Sequence, residues 1–100
     1  MIYNTIIRSQ AKRDIRNIIE YIEYKLSAPI AAERFARGIY AKIDMLKHSA
    51  HIFPVSTYQD VRKYDMLARH VIYKDFAIIY NIHGDLVLIH RVIHGSLIKE

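Results

Sequence analysis

Three apolar stretches near the C-terminus, Met66–Tyr73, Phe76–Ile82 and Leu86–Ile93, alternate with a period of two and stand almost end to end. Only Lys74–Asp75 separates the first pair, and only His83–Asp85, with Gly84 at its centre, separates the second. Links this short join antiparallel neighbours, because a parallel return needs a crossover of about a dozen residues. The chain is thereby committed to a three-stranded antiparallel meander. Everything upstream has to supply its cover.

Two helical stripes answer that need. Ala11, Ile15, Ile18, Ile19, Ile22 and Leu26 recur at three- and four-residue spacing, which predicts an amphipathic helix over 10–26 with Ser9 as its N-cap. Its polar side carries Lys12, Arg13, Arg16, Glu20 and Glu23. Pro29 cannot continue this helix but suits the first turn of the next. Ala32, Phe35, Ala36, Ile39, Ile43 and Leu46 then predict a second helix over 29–47. The connection is short, so the two form an antiparallel hairpin. The β-branched and aromatic segment Ile2–Arg8 reads as a first strand, and the aperiodic His48–Asp60, with Pro54, as a loop. The expected architecture is α+β, in the order β-α-α-β-β-β: a helical hairpin on one face of an antiparallel sheet, the other face open.

The last strand resists assignment to faces. Val87, Ile89, Arg91 and Ile93 fall on one side, Leu88, His90, Val92 and His94 on the other, and neither set is cleanly polar. A mixed surface of apolar residues beside Arg and His is the usual character of a binding surface.

One hundred residues make one domain, 1–100. No apolar run approaches the ~18 residues of a membrane span, and "MIYNTIIRSQ" lacks the pattern of a signal peptide. The chain has no cysteine, which excludes disulfides and thiolate metal sites. A cytoplasmic location is expected. The formal charge is +5, with nine Lys/Arg against five Asp/Glu in residues 1–50, while five of the six histidines lie in residues 51–100. A basic surface favours RNA, DNA or an acidic protein segment as partner.

The candidates for chemistry are Arg62, Lys63, Arg69, His70, Lys74, His83, His90, Arg91 and His94. Metal-independent RNA cleavage needs a base for the 2′-hydroxyl, cations for the phosphorane charge and an acid for the leaving oxygen, and these residue types supply all three. His90 and His94 are four apart, a spacing that suits a helix and not the strand expected here, so no metal is expected. Nor does any glycine loop cradle a phosphate. Tyr64, Tyr73 and Tyr80 read as half-buried structural residues rather than stacking platforms.

Several segments together resemble the RelE/ParE superfamily, the toxins of bacterial type II toxin–antitoxin pairs. "SQAKRDIRNIIEYI" (Ser9–Ile22) is similar to the family's first helix, and "AAERFARGIYAKIDML" (Ala31–Leu46) to its second. "ARHVIYKDFAIIYNIHGDLVLIHRVIHGS" (Ala68–Ser96) is similar to its arginine strand, "I-x-Y" strand, tight turn and closing "I-x-R-V-x-H-G". The resemblance covers nearly the whole chain and lies nearer the ParE branch, associated with poisoning DNA gyrase, than the RelE branch, associated with cutting messenger RNA on the ribosome. Phe76, Ala77 and Ile78 stand where the RelE branch carries an arginine, and His48–Asp60 has no Lys or Arg. Leu97 and Ile98 replace the Arg-Asp pair common in the ParE branch.

The resemblance implies a toxin without catalysis of its own or any cofactor, held by an antitoxin and acting on gyrase through Arg69, His70, Arg91, His94 and the tail from Gly95. The alternative it implies is a ribosome-dependent endoribonuclease acting on messenger RNA, with His94 as general acid and Arg69 and Arg91 as phosphate-binding cations. A third reading is a non-toxic relative that only binds its antitoxin.

Overall fold

Strand β1 (Asn4–Ile7) opens the chain and helix α1 (Ser9–Glu20) follows after one residue. The helical path of the first stripe continues to Lys25, but Tyr21–Lys25 is a π-helical turn in which the Leu26 N–H reaches back five residues to the Tyr21 carbonyl. Ser27, at φ 49°, then reverses the chain in the left-handed region. Helix α2 (Pro29–Ser49) starts on the proline and runs two residues beyond its expected end. The computed structural model describes residues 2–99, so Met1 and Glu100 of the expected 1–100 domain lie outside the described residues.

The expected loop contains the end of α2 and the start of a short helix, α3 (Gln59–Arg62). The first meander strand is shorter than its alternation predicts. β2 covers Arg69–Tyr73, while Met66–Ala68 is held in a turn. Asp65 does this: its carboxylate accepts from the Leu67 N–H at 2.8 Å and its carbonyl from the Ala68 N–H at 3.0 Å. β3 (Phe76–His83) and β4 (Leu86–His94) complete the meander. His83 pairs with Leu86, so the second link is only Gly84–Asp85, and Gly84 supplies the positive φ of that turn.

The sheet order is β1-β4-β3-β2. The meander is antiparallel, and β1 adds to it in parallel outside β4, from Asn4 opposite Leu86 to Ile7 opposite Ile89. The helical hairpin covers one face. Ile15 of α1 and Phe35, Ile39, Ile43 and Leu46 of α2 pack there on Val71, Ile78, Tyr80, Val87, Ile89 and Val92. The opposite face, expected to be open, is covered at its centre and stays open at its margins, where Ile6 and Ile72 are exposed. Val61 of α3, Tyr58, Tyr64 and Ile98 from the C-terminal segment close over Ile79, Ala68 and Ile93 in a second, smaller core.

A bulge explains the mixed character of β4. Tyr80 faces Ile89 but Ile79 faces Arg91, so His90 is the extra residue. Alternation changes phase there. Val87 and Ile89 point to the helices before the bulge and Val92 after it, and all three are buried. Arg91 and Ile93 go to the other face.

Candidate functional site

The bulge also sets the geometry around Arg91. β1 ends at Ile7, so beyond Ile89 the outer edge of β4 has no strand beside it, and the Val92 N–H would be an unpaired edge donor. Asp14 of α1 fills that place. Its Oδ2 accepts from Val92 N at 3.0 Å and from Arg91 Nε at 2.7 Å, and its Oδ1 from Arg91 Nη2 at 3.1 Å and Gln10 Nε2 at 3.3 Å. Arg91 Nη1 also donates to the Tyr64 hydroxyl at 3.3 Å. The fork-to-fork bond with Asp14 raises the Arg91 pKa against a smaller opposing effect of burial. Arg91 is therefore tied to the frame through a carboxylate that is only 9% exposed.

Arg69 is likewise engaged. From β2 its Nη1 donates to the carbonyls of Phe53 and His51, holding the chain that leaves α2. It lies on the helix side beside Tyr80, its register partner, whose hydroxyl donates to the Ala50 carbonyl at 2.7 Å. Burial pushes the Tyr80 phenol up to about 12, although Arg69 pulls the other way.

The histidines divide among different surroundings. His70 faces the second core, edge-on to the Tyr58 ring at 5.9 Å, and burial lowers its pKa. His90 pairs through Nε2 with Asn81 Oδ1; burial, then the Arg8 charge, lowers its pKa, while Asp65 opposes them. His94 ends β4 on the helix side, at 5.5 Å from the Phe76 ring. Its Nδ1 accepts from the Ser96 N–H at 3.1 Å and meets Ser96 Oγ at 2.7 Å, and Nε2 has no hydrogen-bond partner among the described residues. The Gly95 N–H donates to the Asp75 carbonyl at 2.7 Å, closing the tail onto the β2–β3 turn.

The residues singled out from sequence thus fall around separate clefts. An apolar groove of about 470 Å³ lies between the helical hairpin and the meander, lined by Ile18, Tyr21, Leu26, Phe35, Phe76 and His94 among others. A polar cleft of about 500 Å³ lies at the start of α1 and collects Arg8, Ser9, Gln10, Lys63, Tyr64, His90 and Arg91. His70 lines a third, of about 360 Å³, with Pro54–Tyr58. Arg69 lines none of these three. His83 is exposed at the end of β3, Lys74 sits 5.9 Å from the Tyr73 ring, and Arg62 donates to Met66 Sδ at 4.0 Å.

Sequence reasoning missed Asp14, Asn81 and Arg8. Asp14 had a signal: it falls on the apolar stripe, three residues after Ala11 and four before Ile18, where a carboxylate needs a buried partner. Asn81, inside an apolar strand, carries a similar one. Arg8 had none beyond its charge.

Known proteins bear on this arrangement at two levels. A solved structure titled "Chromosomal ParDE TA system from P. aeruginosa" superposes with a TM-score of 0.75, covering 93% of this chain and 96% of that one at 15% identity, a likeness of fold. No curated protein sequence matches. A family model described as "ParE toxin of type II toxin-antitoxin system, parDE" matches residues 5–98, nearly the whole chain. The protein belongs to the ParE toxin family of type II toxin–antitoxin systems.

Proposed function

We propose that this toxin acts by binding DNA gyrase and that a cognate antitoxin neutralises it. Family membership supports the toxin reading. What favours binding over RNA cleavage is how the residues that cleavage would require are used. Arg69 and His94 stand on the helix side of the sheet and Arg91 on the other. Both guanidiniums are engaged within the fold, one on loop carbonyls and one on Asp14. A phosphorane needs an acid and cations converging on one point. These three do not converge.

The apolar groove is the seat we assign to the antitoxin. Tyr21, Leu26 and Ile30 are exposed at or beside it, with Tyr24 on the neighbouring turn, an arrangement that suits the apolar face of a partner helix.

The test is a supercoiling assay with gyrase from the source organism and the purified, antitoxin-free chain. Inhibition with accumulation of cleaved DNA is expected, and His94→Ala should change it only modestly. A nuclease would instead lose ~10²–10⁴ of its rate on losing its acid. Gyrase left unaffected, together with ribosome-dependent messenger RNA cleavage abolished by His94→Ala, would overturn the proposal. A host that grows normally while expressing the chain alone would make it a non-toxic antitoxin-binding relative.

A further inference from the structure

The polar cleft at the start of α1 opens onto an unusually basic stretch of surface. Arg8 and Lys63 are exposed at its rim, and Arg91 and His90 form part of its wall. From Arg8 the charge continues along the solvent side of α1 through Lys12, Arg13 and Arg16, all exposed. Lys12 and Arg16 are four residues apart, which stacks them on one side of the helix at about 6 Å of axial rise, and Arg8 stands just ahead of them at the N-cap. Opposing charge is scarce. Asp14, the one acid in α1 before Glu20, is turned inward to Arg91, Asp60 reaches Lys63 only at 3.8 Å, and Asp65, whose charge is felt at His90, accepts from the Leu67 N–H. Among the described residues Arg8, Lys12, Arg13 and Arg16 have no ion-pair partner. The first turn of α1 holds no acidic side chain and Arg8 at its N-cap makes no capping bond, so the positive end of the helix dipole adds to the same field.

We propose that this cleft and the α1 ridge bind the phosphodiester backbone of duplex DNA. A row of cations at helical spacing beside an open cleft suits a polyanion that runs past the surface, not a small anion enclosed in it. The aromatic residue of the cleft argues for a duplex over a single strand. Tyr64 has Lys63 Nζ at 5.4 Å and the Arg91 guanidinium at 5.8 Å from its ring, and its hydroxyl accepts from Arg91, so the ring is already engaged by cations of the cleft instead of standing free to stack a base. Contacts of this kind position a protein on DNA without reading sequence.

The measurement is fluorescence anisotropy of the purified full chain with a labelled duplex of about two helical turns, at several salt concentrations. The assay contains no gyrase, so its failure leaves the toxin proposal standing, and failure of gyrase inhibition leaves this one standing. Binding should be indifferent to sequence and weaken with salt. The pairs Arg8→Gln with Lys63→Gln, and Lys12→Gln with Arg16→Gln, should each weaken it roughly tenfold. Each should also lower the slope of log K against log salt by about one for every phosphate no longer neutralised. Arg37→Gln, on α2 and paired with Glu33, serves as the control and should change neither quantity. All five positions are exposed, so an unchanged melting temperature confirms that each variant folds. Equal binding by all variants, or no binding by the unaltered chain, overturns the proposal. So does displacement of the duplex by a single strand of equal length or by a poly-glutamate peptide at lower concentration, which would make one of those the preferred occupant.

Discussion

Asp14 shows how one side chain can decide several interactions at once. It closes the free edge of β4, orients Arg91 and ties α1 to the sheet, all from a position 9% exposed. Asp14→Ala would strand both the guanidinium and the Val92 N–H. Breaking a buried pair from one side costs about 3–5 kcal/mol, but Arg91 keeps 29% of its side-chain exposure, so a loss of about 2–3 kcal/mol in urea denaturation is expected. A loss under about 0.5 kcal/mol would place the pair among surface ion pairs of little consequence. Tyr80 provides a second case, visible in pH dependence. Burial takes its phenol from 10.0 up to about 12 in the folded chain. Its pKa is higher folded than unfolded, so its contribution is full below pH 10 and is lost as pH rises from 10 towards 12. Tyr80→Phe should remove that alkaline decline, followed as the urea midpoint between pH 9 and pH 11. It should also cost about 1 kcal/mol at neutral pH for the Ala50 carbonyl left without its donor.

The elements differ in how far local sequence determines them. Both helices and all three meander strands are legible, because period and link length are local quantities. The misses occur where a single side chain or an unseen neighbour wins. Met66–Ala68 alternates like a strand, yet the Asp65 carboxylate offers its backbone a turn instead. The faces of β4 cannot be counted off because the extra residue at His90 is visible only once β3 is in register beside it. The end of the first helical segment shows how such a local conflict is resolved in the backbone. Ser27 adopts φ 49° after a π-helical turn, a conformation that an L-residue enters at a cost and glycine enters freely. The side chain is exposed and makes no hydrogen bond among the described residues. Ser27→Gly is therefore expected to stabilise the fold by about 0.5 kcal/mol, the strain relief being partly offset by the entropy of glycine in the unfolded chain. Thermal unfolding should show this as a rise of roughly 2–4 °C. An unchanged or lower midpoint would mean that the turn is not strained by the serine.

At the scale of the molecule, legibility depends on contacts between distant segments. The helical hairpin over the meander follows from the need of two apolar stripes for cover. The parallel docking of β1 beside β4 does not, nor does the covering of the centre of the second face by α3 and Ile98, because nothing local in those segments names their partner. The candidate site shares this limit. Arg69, His70, Arg91 and His94 were identifiable as unusual residues on apolar strands, but only the assembled sheet separates them into internal anchors and cleft walls. One consequence is that the hairpin and the sheet have their main surfaces buried against each other while the groove between them keeps exposed apolar side chains. Leu26 is 55% exposed at its edge, next to Tyr21. If the antitoxin seats its apolar face there, Leu26→Asp should weaken the complex sharply, since a carboxylate in a desolvated contact loses both the apolar burial and its water. A cost above about 2 kcal/mol is expected, or roughly thirtyfold in Kd, in titration calorimetry with the co-expressed antitoxin. The variant should fold as before, because Leu26 stands outside the core cluster, and should retain the gyrase inhibition proposed above while escaping neutralisation. Unchanged antitoxin affinity would move the docking surface away from this groove and onto the sheet face that carries His70 and Ile72.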